Sequence, residues 1–207
     1  MISLFIDTSG SDVSIALVRD NVILASIVES LPNKHSIYAV SYLDKILKSA
    51  NISEKEVDKV MVVNGPGSFT GVRIGVTIAK VFAYILNKDI ICLSALKIKA
   101  LSINHDYCLS LISANKGNYY IGMYNKENNN VIDEQFSNLE YIEELINEYN
   151  PVIVSDSDTV ISNRSINKTK LDIVGIVDYY KDKESKNVHL VVPNYLKLPQ
   201  ALEEKKW

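Results

Sequence analysis

The glycine-rich segment at residues 64–71, NGPGSFTG, has the composition best suited to ligand chemistry. It joins an apolar run typical of a buried strand to a predicted helix, and backbone N–H groups at such a junction can approach an anion closely. No lysine follows as in a Walker A loop, and Thr70 stands where a GxGxxG motif has its last glycine. The segment is either a tight structural turn or an anion site that uses Gly65, Gly67 and Ser68.

A second polar turn, Asp7-Thr8-Ser9, follows the first predicted strand. Its hydroxyl and amide groups suit a nucleotide phosphate, and the Asp7 carboxylate suits a water molecule of a magnesium ion. The alternative is a hairpin in which the short polar side chains hydrogen-bond their own backbone. The sequence leaves both interpretations open.

Other catalytic chemistry finds little support in the residue pattern. The three histidines form neither an HxxxH nor an HExxH pair, so we predict no metal site. Ser68 lies in GSFTG rather than in a GxSxG motif, and no base can be assigned to it. Cys92 and Cys108 form no CxxC motif and are expected to be buried, reduced thiols. We therefore predict no catalytic residues.

The elements that position these residues follow one plan that occurs twice. In the first half, apolar patterns predict helices at 35–50 and 72–86 and strands at 2–7, 13–18, 22–28, 59–63 and 90–93. In the second half they predict a helix ending near Tyr149 and strands at 109–113, 119–124, 131–136 and 152–154. Capping-box patterns stand at Ser53/Glu56 and Ser137/Glu140. Residues 158–187 are predicted to be loops around one weak strand at 171–174.

The repeated order of strand, hairpin, strand, helix and strand indicates the fold class. It predicts an α/β protein with the actin-like (ribonuclease H-like) ATPase fold, built from two mixed-sheet subdomains. We place the subdomains at residues 1–103 and 104–207, the second being reduced.

The predicted helix at 72–86 is apolar around most of its circumference, which requires cover on both sides. One side packs on a sheet, and the other meets either a second layer of the same chain or another subunit. Large aliphatic side chains left in water forgo about 1.5–3 kcal/mol each, which favours a subunit interface. The helix at 35–50 has a predicted apolar face of Ile37, Val40, Leu43, Ile46, Leu47 and Ala50, with tyrosines beside it that extend the patch. The predicted interface comprises His35, Tyr38, Tyr42, Val72, Arg73, Ile74, Ile78, Phe82 and Ile85.

Composition restricts the partners and the compartment. The 207 residues carry a formal net charge of −3, without the basic excess of a protein that grips nucleic acid alone. The N-terminus lacks the basic region of a signal peptide, and no stretch reaches the roughly 18 apolar residues of a membrane span. We expect a cytoplasmic protein without membrane contact.

Several of these segments resemble the TsaB (YeaZ) family. The likeness is carried by IDTS at residues 6–9, His35-Ser36 at a helix start, VPNYLKLPQA at 192–201 and, most specifically, GPGSFTGVRIG at 65–75. It covers the first half well and the second half loosely. Ser113 and Asn115 replace the acid and the arginine of a family Asp-Ala-Arg segment, and Lys197 stands where arginine is common.

This resemblance implies a non-catalytic scaffold. TsaB pairs through its N-terminal subdomain with its paralogue TsaD, which transfers a threonylcarbamoyl group to the adenosine beside the anticodon of tRNA, and the ATPase TsaE joins them. The chain lacks the metal-binding histidine pair of TsaD. The resemblance implies that it binds and activates TsaD, forms a homodimer when alone, contacts tRNA only indirectly and requires no cofactor, with ATP or ADP used at the level of the complex.

Two other functions remain as alternatives. An ATP-dependent phosphotransferase or ATPase of the actin-like fold would use Asp7 and the glycine loop. A metallopeptidase is disfavoured, because the pattern offers neither a metal site nor a nucleophile.

Overall fold

Two five-stranded mixed sheets form the framework of the protein. The computed structural model describes residues 1–30, 35–114, 117–155, 161, 166–168 and 170–197. The first sheet has the order β3-β2-β1-β4-β5 and consists of β1 (Ile2–Asp7), β2 (Asp12–Arg19), β3 (Val22–Ser30), β4 (Lys59–Gly65) and β5 (Asp89–Ser94). Helices α1 (His35–Ala50) and α2 (Phe69–Leu86) pack on this sheet, and the short helix α3 (Ala95–Ala100) contacts both sheets.

The second sheet repeats this arrangement. Its order is β10-β9-β6-β7-β8, from β6 (Tyr107–Ser113), β7 (Tyr119–Asn125), β8 (Asn130–Ser137), β9 (Val152–Ser155) and β10 (Asn167–Lys168). Helix α4 (Leu139–Tyr149) packs on this sheet, whereas α5 (Ile173–Tyr180) contacts β1 and β2 of the first sheet. In each sheet the first strand pairs antiparallel with its hairpin neighbour and parallel with the strand that follows the helix. The predicted duplication is confirmed.

Helix α2 lies against the first sheet because the residues on one of its faces are small. Gly71, Gly75, Ala79 and Ala83 recur at every fourth position, and all are buried. The absence of large side chains along this line brings the helix close to β1 and β4. Val72 and Val76 are also buried in this core, while Val81 and Ile85 are exposed.

By length and composition alone, helix α2 is long and apolar enough to cross a membrane. The sequence prediction that no stretch approaches this limit is therefore wrong, because the helix begins three residues earlier than predicted. In the fold, α2 packs its small residues on the first sheet, and Lys80 donates a hydrogen bond to the Val191 carbonyl at 2.8 Å.

Helix α1 has the predicted bounds but a different buried face. Leu43 and Ile46 are buried as predicted, together with His35 and Ala39. In contrast, Ile37 and Val40 are 66% and 61% exposed. The prediction was wrong for these two side chains, because the buried face is centred on Ala39 and Leu43 and does not reach them.

Two other local predictions need correction. The segment predicted as a weak strand at 171–174 begins α5, in which the Asp172 side chain accepts a hydrogen bond from the Gly175 amide at 3.0 Å. Helix α4 is capped by Asn138, whose Oδ1 accepts from the Tyr141 amide at 3.0 Å, and not by Ser137. Helix α3 was not predicted.

The predicted capping box of Ser53 and Glu56 is confirmed. Asn115 and residues 198–207, which include parts of two of the segments that resemble the family, lie outside the described residues.

Residues 186–197, here called the C-terminal strap, return to the first sheet. The Lys186 amide donates to the Ile90 carbonyl at 2.8 Å, and the Asn194 amide donates to the Asn64 carbonyl at 2.6 Å. Val191 is 1% exposed and belongs to the core beside α2. The strap therefore covers one flank of α2, and α1 lies along the other.

Candidate functional site

The two predicted polar turns lie side by side at one edge of the first sheet. Strands β1 and β4 are parallel neighbours, with Ile6 opposite Val62. The turn after β1 and the glycine loop after β4 therefore leave the sheet at the same end. This is the edge at which open α/β sheets bind ligands.

The two turns use much of their hydrogen-bonding capacity on each other. The Ser68 amide donates to the Ser9 carbonyl at 2.7 Å, and the Thr8 hydroxyl donates to the Gly71 carbonyl at 2.7 Å. Asp7 Oδ1 accepts from both the amide and the hydroxyl of Ser9, at 2.8 and 2.7 Å. These bonds match the structural interpretation of both turns, and the Ser68 amide is not free for an anion.

The loop glycines are required by close packing. A β-carbon on Gly67 or Gly71 would overlap the carbonyl oxygen of Ser9 or Thr8, respectively. Gly65 has a φ of +118°, and a β-carbon there would lie 2.7 Å from the Asn194 carbonyl of the strap. The glycine loop therefore packs closely against the Asp7 turn on one side and against the strap on the other.

Clefts lie beside these turns, and two of them are the larger. One, of about 470 Å³, is lined by the charged residues Asp7, Asp12, Lys99, Lys170 and Asp172 among others. The other, of about 600 Å³, lies between the glycine loop and β6–β7 and is lined by Ser9, Gly67, Phe69, Ser113 and Tyr120 among others. Asp7 is only 8% exposed. Nucleotide binding in either cleft stays a prediction.

A metal centre is not formed by the residues that the structure describes. Among them, no group of three or more histidine, cysteine, aspartate or glutamate side chains is arranged to hold a metal ion. His35 is 8% exposed, and its Nε2 has no hydrogen-bond partner among the described residues. His189 packs edge-on against Tyr84 at 5.2 Å between ring centroids.

Helices α1 and α2 enclose an apolar groove between their first turns. The groove has a volume of about 430 Å³ and is lined by Ser36, Val40, Phe69, Thr70, Arg73, Ile74, Thr77 and Ile78. It continues along α2 as a stripe of aliphatic residues. These are Ile74, Ile78, Val81 and Ile85, and their spacing of four, three and four residues is the spacing of a helix–helix seam.

The surface around this groove exposes large hydrophobic side chains. We call it the helix-pair face, and it comprises the groove, Ile37, Val81, Tyr84 and Ile85. Ile85 is 70% exposed and Val81 is 52% exposed. Such a concentration of exposed apolar side chains is typical of an interaction surface.

The predicted interface residues fall into two groups. Arg73, Ile74 and Ile78 line the groove, while Ile85 is exposed beyond it. Val72 is 2% exposed and packs in the core, so its assignment to an interface is wrong. His35 is buried, and half-buried Phe82 packs against the same core.

Tyr38 and Tyr42 lie away from the groove. Their rings stack at 5.7 Å, and the Tyr42 hydroxyl donates to Glu29 of β3 at 2.5 Å. This hydrogen bond raises the pKa of Tyr42 to about 12. The expectation that these tyrosines extend the α2 patch is wrong, because they occupy the side of α1 that faces β3.

The sequence prediction missed several residues of the helix-pair face. Val40, Phe69, Val81 and Tyr84 belong to it. The heptad-like spacing of Ile74, Ile78, Val81 and Ile85 is the signal that could have identified Val81.

Comparison with known proteins gives consistent matches. The family model for TsaD, tRNA N6-adenosine threonylcarbamoyltransferase, matches residues 23–176. The tRNA threonylcarbamoyladenosine biosynthesis protein TsaB of Bacillus subtilis (strain 168) is 31% identical over 230 residues, covering 100% of this chain and 98% of the relative. TsaB of Escherichia coli (strain K12) is 30% identical over 132 residues, 62% of this chain and 57% of the relative.

A solved structure confirms the predicted actin-like α/β fold. YeaZ from Pseudomonas aeruginosa superposes with a TM-score of 0.79 at 20% identity, covering 94% of this chain and 99% of that chain. The match to the Bacillus subtilis protein, which covers 98% of that relative, settles the family. The chain belongs to the TsaB family.

Proposed function

We propose that this protein is a non-catalytic partner that binds and activates a TsaD-type threonylcarbamoyltransferase, which modifies the adenosine next to the anticodon in tRNA. The name of its Bacillus subtilis relative, tRNA threonylcarbamoyladenosine biosynthesis protein, supports the pathway. The observation that carries the partner role is the helix-pair face, where Ile85 is 70% exposed and Val40 is 61% exposed.

The energetics of this face favour a partner. Burial of a large aliphatic side chain contributes about 1.5–3 kcal/mol, so covering the seam would contribute on the order of 5–10 kcal/mol. Association costs part of this in lost translational and rotational freedom. The seam therefore supplies the apolar part of the binding free energy, whereas the uncovered face promotes nonspecific association.

The shape of this face favours a partner that also presents helices. The seam of Ile74, Ile78, Val81 and Ile85 fits side-by-side packing with another helix. A paralogue with the same fold would offer a corresponding helix pair. In its absence, two copies of this chain would pack through the same face as a two-fold homodimer.

Two observations support a role without catalysis. The described residues hold no cluster suited to a metal, and the polar turns at Asp7 and Ser68 bond to each other. The net charge of −3 supports an indirect contact with tRNA. We further propose that a TsaE-type ATPase joins the complex in the cytoplasm, and that ATP or ADP is used by the complex and not by this chain alone.

The test is the molar mass in solution, measured by light scattering, of this protein alone and mixed with the TsaD paralogue from the same source. We expect a one-to-one complex that Val81→Asp and Ile85→Asp each abolish while the monomer stays folded. Val22→Asp is the matched control, because Val22 is 60% exposed on β3, away from the seam. Phe82 is unsuited to this test, since it packs on the core.

The transferase reaction supplies a second measurement. Addition of the wild-type protein should increase tRNA modification by the paralogue, and the Ile85→Asp variant should not. A complex that survives Val81→Asp and Ile85→Asp would refute the assignment of this face.

A further inference from the structure

Arg73 is held in a fixed orientation at the edge of the groove. Its guanidinium carbon lies 3.7 Å from the Phe69 ring centroid, and its Nε donates to the Tyr195 hydroxyl at 2.7 Å. The Phe69 and Tyr195 rings stack on each other at 5.4 Å between centroids. Contacts of this kind lower the entropy that an arginine loses when it binds.

The free edge of this guanidinium has no acidic partner in the described part of the chain. The ion pairs found there are those of the N-terminus with Asp20, Lys48 with Asp44 and Lys181 with Asp178. Arg73 itself is exposed. Its two terminal nitrogens are therefore free to donate a parallel pair of hydrogen bonds, the geometry that a carboxylate accepts.

The surroundings of Arg73 are electropositive. The described residues that line the groove include no carboxylate. The groove lies at the beginning of both helices, where the helix dipoles place partial positive charge, and neither α1 nor α2 has an acidic residue in its first turn. This end of the groove therefore complements a negatively charged group.

A second copy of this chain offers poor complementarity at this point. Helix α2 contains no acidic residue, and α1 contains only Asp44. Asp44 already pairs with Lys48 at 2.7 Å. Packing of two copies through the helix-pair face would leave Arg73 without a carboxylate from the facing helices.

We propose that the TsaD-type partner places a carboxylate of its docking helix against Arg73, and that this pair selects the paralogue over a second copy of the chain. The inference rests on the proposed function and names the charge that the partner must carry. The aliphatic seam supplies affinity for either occupant, while the pair at Arg73 sets register and choice of partner.

The experiment compares Arg73→Gln, Arg73→Lys and the control Arg19→Gln. Arg19 is exposed at the far end of β2, opposite Ile2, so its loss changes the net charge equally without touching the groove. Calorimetry gives the Kd for the paralogue, light scattering gives homodimer formation, and thermal denaturation verifies folding. Arg73→Gln should weaken the heterodimer about 30-fold or more and leave the homodimer unchanged.

The other variants sharpen this test. Arg73→Lys should bind with intermediate affinity, because an ammonium group keeps the charge but lacks the two parallel N–H donors of a planar guanidinium. Arg73→Glu should abolish binding, and reversal of one acidic residue on the docking helix of the paralogue should restore it. Arg19→Gln should bind as the wild type does.

The negative outcomes are distinguishable. If the wild type binds the paralogue and Arg73→Gln binds equally well, this inference is overturned while the proposed function stands. If Arg73→Gln weakens the homodimer as much as the heterodimer, the selection of the paralogue is overturned. A wild type that does not bind the paralogue at all overturns the proposed function itself.

Discussion

The Thr8 hydroxyl oxygen fills the space next to Gly75, so that a β-carbon on this glycine would lie only 2.5 Å from it. The same oxygen donates a hydrogen bond to the Gly71 carbonyl at 2.7 Å, and Thr8 is fully buried. One side chain thus fixes two successive turns of α2 to the end of β1. The orientation of the helix-pair face depends on this contact, because α2 provides its seam.

We predict that Gly75→Ala lowers the free energy of unfolding by about 1–3 kcal/mol, because the added methyl group collides with Thr8. Alanine is the better helix former by roughly 1 kcal/mol, so a site without this collision would gain stability. Chemical denaturation of Gly75→Ala and of Thr77→Ala, on the exposed side of α2, measures the difference.

The double variant Thr8→Ala/Gly75→Ala tests the cause. Removal of the hydroxyl relieves the collision, so the double variant should lose less stability than the sum of the two single variants. Additive losses, or stabilisation by Gly75→Ala alone, would contradict the assigned contact.

The framework of the fold could be predicted because its signals are local. The helix at residues 35–50 and the strand at 2–7 have the predicted bounds, since apolar periodicity and polar ends mark them. Helix α5 was missed because Leu171–Val174 has the composition of a strand. Its Ile173, Ile176 and Val177 pack on the core at helical spacing, a contact that depends on distant residues.

The sites were predictable only in part, because their contacts also depend on residues that are distant in the sequence. The adjacency of the Asp7 turn and the glycine loop follows from the parallel pairing of β1 and β4. The hydrogen bond from the Ser68 amide to the Ser9 carbonyl depends on the register of these two strands, which the sequence does not reveal. Likewise, helical periodicity places Tyr42 outside the main apolar face of α1. It does not reveal that the Tyr42 side chain contacts Glu29 of β3 instead of extending the α2 patch.

The N-cap of α4 gives a second stability prediction. Asn138→Ala should lower the free energy of unfolding by about 0.5–2 kcal/mol, since it removes the acceptor of the Tyr141 amide. Glu140→Ala should have a smaller effect, because the cap is formed without a capping box. Thermal and chemical denaturation of both variants decide between them, and a larger loss for Glu140→Ala would argue against Asn138 as the cap.

Asp7 distinguishes a structural turn from an ATPase site. We predict that Asp7→Ala lowers the free energy of unfolding by about 1–3 kcal/mol, because it leaves the buried amide and hydroxyl of Ser9 without their acceptor. Asp7→Asn should retain part of this stability through its remaining carbonyl oxygen.

Phosphate release from ATP by the isolated protein is the accompanying measurement. We expect no turnover by the wild type above that of a buffer control. Steady turnover that Asp7→Ala abolishes, with the variant still folded, would favour the ATP-dependent enzyme.

Lys97 connects α3 to the second sheet and gives a prediction of pH dependence. Its side chain is 8% exposed, and its Nζ donates to the Asn128 carbonyl and lies 4.1 Å from the Tyr124 ring centroid. Burial lowers the pKa of Lys97 from 10.5 to about 8; nearby Glu134 opposes this shift and Lys183 adds to it. Folding therefore opposes the charged form of this lysine.

The direction of the pH dependence follows from the number of protons that the folded and the unfolded states bind. Below pH 8 the lysine is protonated in both states, and the folded protein bears the whole cost of the buried charge. As the pH rises from about 8 towards 10.5, the folded state loses the proton first, so this contribution to the free energy of unfolding increases with pH. The slope cannot exceed about 1.36 kcal/mol per pH unit.

Comparison with Lys97→Met isolates this contribution, because other titrating groups remain in both proteins. The free energy of unfolding of the wild type minus that of the variant should increase across this pH range when measured by chemical denaturation. Lys99→Met, which removes a less buried lysine of the same helix, serves as the control. A difference that stays constant with pH would mean that Lys97 keeps its ordinary pKa, with Asn128 and Tyr124 compensating its burial.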